Sequence, residues 1–124
     1  MRFALIAGAG LPALAVAQTT PNVAPSTQVA VSVSVPTPQG TPRAAVEAGM
    51  ARSAPTDTMV PGLIRKYFTI GETNFGGMYL FRDRASAQAW FSDAWRAKVV
   101  TPYGAPPTVT YFDVPLLVDN SGTK

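Results

Sequence analysis

The sequence predicts an α+β domain. Strand, helix, strand, strand, helix and strand follow one another, making an antiparallel four-stranded sheet with two helices on one face. Three observations carry this. Val29, Val31, Val33 and Val35 recur at strict period two in TQVAVSVSVP, as a strand with one buried face requires. The runs LIRKYFTI and GGMYLFR flank a short polar connection, as in a hairpin. Two stretches, PRAAVEAGMAR and RASAQAWFSDAWRAKVV, carry small and apolar residues at helical spacing.

In chain order, the first strand has only Ala30, Ser32 and Ser34 on its second face, which suits the close approach of another layer, and Pro36 and Pro38 end it. Thr41-Pro42 reads as an N-cap followed by proline at the first helical position. The helix then shows Ala45, Val46, Gly49 and Met50 along one side, and SAPTDTMVPG forms the connection, broken by Pro55, Pro61 and Gly62. The hairpin pairs Leu63–Ile70 with Gly76–Arg82. At period two, Leu63, Tyr67 and Thr69 share one face; Ile64, Lys66, Phe68 and Ile70 share the other. Asp83 caps a second helix whose apolar side runs Ala87, Trp90, Phe91, Ala94, with Trp95 and Val99 on the flank. The last strand, TVTYFDVPLLV, puts Val109 and Tyr111 on one face and Phe112 and Val114 on the other. Pro115 places its far end at a sheet edge or beyond it.

This is the ferredoxin-like βαββαβ order. Two helices cover one face of such a sheet, yet both faces of these strands carry apolar side chains. A second copy packed on the open face, giving a homodimer of two sheets, is the simplest cover.

Ahead of the domain, MRFALIAGAGLPALAVA has one basic residue, an apolar run and a small-x-small ending at Ala17, the pattern of a signal peptide. The expectation is removal of residues 1–17, a Pro/Thr/Ser leader over 18–26, the domain over 27–120 and a short tail over 121–124. The protein would then be exported, periplasmic or extracellular, with no stable membrane span after cleavage. The competing reading of the same run is an apolar first element of the fold.

Composition narrows the chemistry. There is no cysteine, hence no thiol nucleophile and no disulfide to stabilise a small exported domain. There is no histidine, which removes the usual neutral-pH base and the commonest metal ligand and makes metal hydrolases and Ser-His-Asp hydrolases poor candidates. The net charge of +3 is small, and Arg65-Lys66 and Arg82/Arg84 are its densest points, too little for a nucleic-acid surface. No phosphate loop, dinucleotide fingerprint or metal spacing occurs.

The stretches GLIRKYF, GGMYLFRDRASAQAWF and the segment from Trp95 to Asn120 containing YG..P.VTYFDVP..VDN resemble the YdhR-like monooxygenase family of the dimeric α+β barrel superfamily. The resemblance covers the second half of the chain. The paired glycines before Tyr79-Leu80-Phe81 and the Lys66 position are its most specific points. It implies a homodimeric barrel with a pocket between each sheet and its own helices, or in the barrel mouth. It also implies cofactor-independent oxygenation of a small aromatic or polyketide-like substrate. The absence of histidine departs from relatives that keep one near the substrate.

Lys66 is the candidate catalytic residue, because a lysine among Ile64, Phe68 and Ile70 must either snorkel out, meet an acid, or line a pocket as a cation. As a pocket cation it would hold a phenolate or enolate. Tyr67, Phe68, Tyr79, Trp95, Tyr103 and Tyr111 are the candidate substrate-binding residues; each is equally accounted for as core or interface. A non-catalytic binding module for a small apolar or aromatic molecule is the alternative function, and both functions need the same apolar pocket.

Overall fold

The computed structural model describes residues 22–122, so the predicted signal peptide, the leader up to residue 21 and the last two tail residues lie outside the described residues. The elements are β1 (Val23–Pro36), α1 (Arg43–Asp57), β2 (Leu63–Ile70), β3 (Asn74–Phe81), α2 (Arg84–Trp90), α3 (Asp93–Tyr103) and β4 (Thr108–Val118). The strands form one sheet in the order β2-β3-β1-β4, with β3 antiparallel to both β1 and β2. The fold is the α+β, ferredoxin-like one the sequence predicts, with the second helix in two pieces.

The described residues fall into two compact units. Thr27–Asp113 hold the core; residues 22–26 and 114–122 make the smaller one. In the smaller unit the Asp119 amide donates to the Asn22 carbonyl at 2.9 Å, and Leu116 and Val118 are exposed.

In the larger unit the valine face of β1 decides the packing. Val29, Val31, Val33 and Val35 are buried and lie opposite Phe81, Tyr79, Gly77 and Phe75 of β3. Phe81, fully buried, meets Phe91 edge-on at 5.7 Å, and Phe91 in turn meets Tyr79 and Trp95 at 4.9 and 4.8 Å. Edge-to-face rings at such spacings add to the burial term. The opposite face of the sheet keeps Tyr67, Met78 and Phe112 more than half exposed.

Five local expectations are corrected. The first strand begins at Val23, four residues ahead of the Thr27 start read from the sequence. Pro42 is the N-cap of α1, and no side chain caps the helix. The helix runs on to Asp57, through Pro55. Pro55 has no N–H to donate to the Ala51 carbonyl, so the helix forfeits that one bond, and only two helical residues follow it. Thr58 closes the end, its amide donating to Ala54 O and its hydroxyl to Pro55 O.

The predicted second helix breaks at Phe91. Ser92 starts a new one by accepting from the Trp95 amide at 3.2 Å, just as Asp83 caps α2 by accepting from the Ser86 amide at 2.8 Å. The break re-phases the face. Trp95, Val99 and Tyr103, four apart, now point inward and Ala94 is exposed.

Finally, a bulge between Leu63 and Arg65 puts Leu63 opposite Phe81 on the helix side, and leaves Tyr67 and Thr69 on the other. Ile64 is exposed in the bulge and does not share the Lys66 face.

Helix α3 ends at Gly104, whose φ of 74° is left-handed and whose amide donates to Val100 O at 2.7 Å. Open space surrounds the position, so Gly104→Ala meets no clash and feels only the backbone cost, about 1 kcal/mol. Urea unfolding of the variant should show a loss of that size with an unchanged m-value.

Candidate functional site

Between the helix-side face of the sheet and the helices lies a cavity of ≈ 350 Å3. Its floor is Val33 and Val35 of β1, with Phe68, Phe75 and Tyr79 from the hairpin strands. Trp90 and the α3 stripe Trp95, Val99 and Tyr103 form one wall, Tyr103 meeting Phe75 edge-on at 5.0 Å. The other wall is α1, where Val46, Met50, Ser53 and Asp57 recur at helical spacing and Gly49 and Thr56 fill in.

Two charged groups meet in this lining. Lys66 Nζ donates to Asp57 Oδ2 at 2.8 Å, with side-chain exposures of only 11% and 13%. The ammonium also lies 3.9 Å from the centroid of the Phe68 ring and 4.6 Å from that of Tyr79, so its charge faces a carboxylate and two π-clouds. Burial lowers the Lys66 pKa from its ordinary 10.5, against the hydrogen bond and charge of Asp57, which oppose the shift. Burial first, and the Asp57 charge second, push the Tyr79 hydroxyl above its ordinary 10, so it stays a neutral donor. Lys98 adds a second, exposed cation at the lining.

Glycine makes room for this arrangement. Gly77 lies opposite Phe68 in the sheet register and is buried. A Cβ there would come within 3.0 Å of both Lys66 Cε and Tyr79 Cε1. The missing side chain lets the lysine stem lie across β3 and bring Nζ under α1.

These shifts act on stability in opposite senses. The folded chain gives up the Lys66 proton below pH 10.5, where the unfolded chain still holds it. Stability therefore rises with pH between the lowered Lys66 pKa and 10.5. Above pH 10 the unfolded chain loses the tyrosine proton that the fold retains at Tyr79, so stability falls there. Urea midpoints taken across the alkaline range should rise and then fall. Tyr79→Phe should remove the Tyr79 part of the fall, and Lys66→Met the Lys66 part of the rise.

Of the residues singled out from sequence, Lys66, Phe68, Tyr79, Trp95 and Tyr103 meet around this cavity. Tyr67 does not: the sheet turns it to the opposite face, 56% exposed, where its hydroxyl accepts from Arg65 Nη1 at 3.3 Å. Tyr111 also lies outside the lining. It packs on the core beside Phe91 and under the Arg84 guanidinium, which is paired with Asp113 at 2.7 Å. Sequence reasoning missed Asp57. Its signal was the spacing Val46, Met50, Ser53, Asp57, visible only once the helix is carried past Pro55. Among the described residues no cluster of three or more acids could hold a metal, and no helix is long and apolar enough to cross a membrane.

No protein-family model matches this chain, and no curated protein matches it. Solved structures do. A protein of unknown function from Nitrosomonas europaea superposes with a TM-score of 0.59 at 21% identity, covering 73% of this chain and 92% of its own. A protein from Shewanella oneidensis gives 0.59 at 15% identity over 78% of this chain and all of the other. A variant of SnoaB, a cofactor-independent oxygenase from Streptomyces nogalater, gives 0.48 at 19% identity, covering 77% and 96%. The likeness is one of fold, and activity has to be argued from the site.

Proposed function

We propose that this chain is a cofactor-independent monooxygenase that takes a small conjugated aromatic molecule into the sheet–helix cavity. The observation that carries the reading is the Lys66–Asp57 pair, set in the wall of a cavity otherwise lined mainly by rings and aliphatic groups. The YdhR-like resemblance, centred on Lys66 and Gly76-Gly77, supports it.

Asp57 accepts a proton from an activated CH2 or phenol of the substrate, and Lys66 holds the resulting oxyanion, with the Tyr79 hydroxyl as a further donor. In water-poor surroundings such a fixed cation makes the substrate anion accessible near neutral pH. The anion reduces dioxygen directly, forming a C–O bond and a peroxide, which takes the proton back. Loss of water from the hydroperoxide leaves a carbonyl. A CH2 becomes C=O; one oxygen atom enters the product, the other leaves as water, and the substrate supplies all four electrons.

The test is oxygen uptake with a panel of anthrones. One dioxygen consumed per quinone formed is the expected result, with kcat/KM down about 100-fold or more in Lys66→Met. Absence of uptake across the panel, with saturable binding of the same compounds, would replace the enzyme with a binding module.

The homodimer is part of the same proposal. Tyr67, Met78 and Phe112 on the open sheet face supply the apolar surface for a second copy. Light scattering on the purified chain should return twice the monomer mass; a monomer contradicts it. Export directed by residues 1–17 is likewise proposed, to be read from the amino terminus of the secreted chain.

A further inference from the structure

We propose that Lys66 is also a carbonyl-capturing amine, condensing reversibly with aromatic aldehydes or ketones that enter the cavity to form an imine. This rests on the cavity admitting an aromatic ligand, and not on oxygen chemistry.

The geometry supplies what the condensation needs. Nζ must shed a proton to become a nucleophile, and Asp57 Oδ2 already receives its hydrogen bond at 2.8 Å. Transfer along that bond yields a neutral amine beside a neutral acid, with no proton drawn from solvent and no net change of charge in the cavity. Low accessibility on both sides, 11% and 13%, favours the uncharged pair more than it would at a surface. Burial lowers the Lys66 pKa in the same direction. Of the other lysines, Lys98 is exposed and has no such acceptor among the described residues.

Nζ then attacks the carbonyl carbon, and the nitrogen's proton passes to the new oxygen to give a carbinolamine. The acid proton on Asp57 goes to that hydroxyl, which departs as water. One C=N bond replaces one C=O bond, one water is released, and nothing is oxidised or reduced. The product is a cationic iminium facing the Asp57 carboxylate. The Phe68 and Tyr79 ring faces that now meet the ammonium, 3.9 and 4.6 Å from Nζ, stabilise that cation in turn.

The experiment is reductive trapping. The purified full chain is incubated with 2-naphthaldehyde and sodium cyanoborohydride near pH 7, and the product is mapped by peptide mass spectrometry. The expected adduct carries the mass of the aldehyde less one oxygen atom and sits on Lys66. Asp57→Asn, a near-isosteric change, should slow its formation about 100-fold, as loss of an acid–base group does. Labelling of Lys98, Lys124 and the amino terminus with Lys66 unmodified would overturn the proposal, and that reading needs no variant. Equal trapping in Asp57→Asn would also overturn it, since the carboxylate would then have no part. Trapping at Lys66 without oxygen uptake in the anthrone panel keeps the imine and removes the oxygenase; uptake without trapping does the reverse.

Discussion

Lys66→Ala is expected to destabilise the fold by about 1–3 kcal/mol, because it removes the stem packed on Phe68 and Tyr79 and leaves the half-buried Asp57 carboxylate without the hydrogen bond it accepts. The loss has two parts, the carboxylate's missing donor and the missing stem contacts. Two companions separate these. Asp57→Asn added to Lys66→Ala should recover the first part only, since a neutral amide carries a far smaller desolvation cost. Lys66→Met with Asp57→Leu should come out near neutral or more stable than wild type, as buried ion pairs replaced by apolar groups often do. Urea unfolding of the set with Asp57→Asn alone completes a double-mutant cycle for residues in direct contact. A small loss in Lys66→Ala, unrelieved by the second substitution, would mean that the pair is not buried as described.

Gly76→Ala is the second large effect, at about 3 kcal/mol or more. A Cβ at Gly76 would overlap the Val33 carbonyl oxygen and come within 2.8 Å of the Val33 carbonyl carbon. Both are backbone atoms in the centre of the sheet, so no side chain can move aside. Relief requires β3 to shift from β1 along the register that sets Val33, Val35 and Phe75 under the cavity. Gly77→Ala meets milder obstacles: the Lys66 stem and the Tyr79 ring edge at 3.0 Å, which can give by a few tenths of an ångström, and the Tyr67 carbonyl oxygen at 3.2 Å. It should therefore cost less stability while moving Nζ away from Asp57. A thermal melt ranks the two, with Gly76→Ala the lower. Equal losses would show that the two glycines serve one purpose.

The strands were legible because their signals are local. The period-two valines of β1 and the span Leu63–Ile70 come through unchanged, since alternation needs no knowledge of a partner. The helices were less so, and each miss has a physical cause. Pro55 removes the bond to the Ala51 carbonyl, yet its fixed φ suits a helix and only two helical residues follow it, so the helix runs through it before ending. Ser92 reads equally as a polar residue on a helix flank or as a cap; packing of Phe91 into the core selects the cap. The bulge that re-faces Leu63 has no sequence signature of its own.

For the candidate site, Lys66 could be singled out because a cation amid apolar strand residues is locally inconsistent. Its partner was not, because Asp57 is brought to it by the hidden last turn of α1. Tyr67 and Phe68 could not be told apart by composition; only the face each takes separates the cavity residue from the surface one. Lys66 donating to Asp57 inside the cavity thus answers why a lysine stands among apolar neighbours.

That assignment is tested most directly by tryptophan fluorescence, because Trp90 and Trp95, both tryptophans of the chain, line the cavity. A hydroxyanthrone or hydroxynaphthoquinone is titrated into the wild type and into Lys66→Met/Asp57→Asn, which removes both charges at little change in volume. The expected result is saturable, one-to-one quenching in the wild type and an affinity about tenfold weaker or more in the double variant, the scale of one charge-assisted hydrogen bond. Quenching that never saturates, or equal affinity in both chains, would contradict a ligand site built on the Lys66–Asp57 pair.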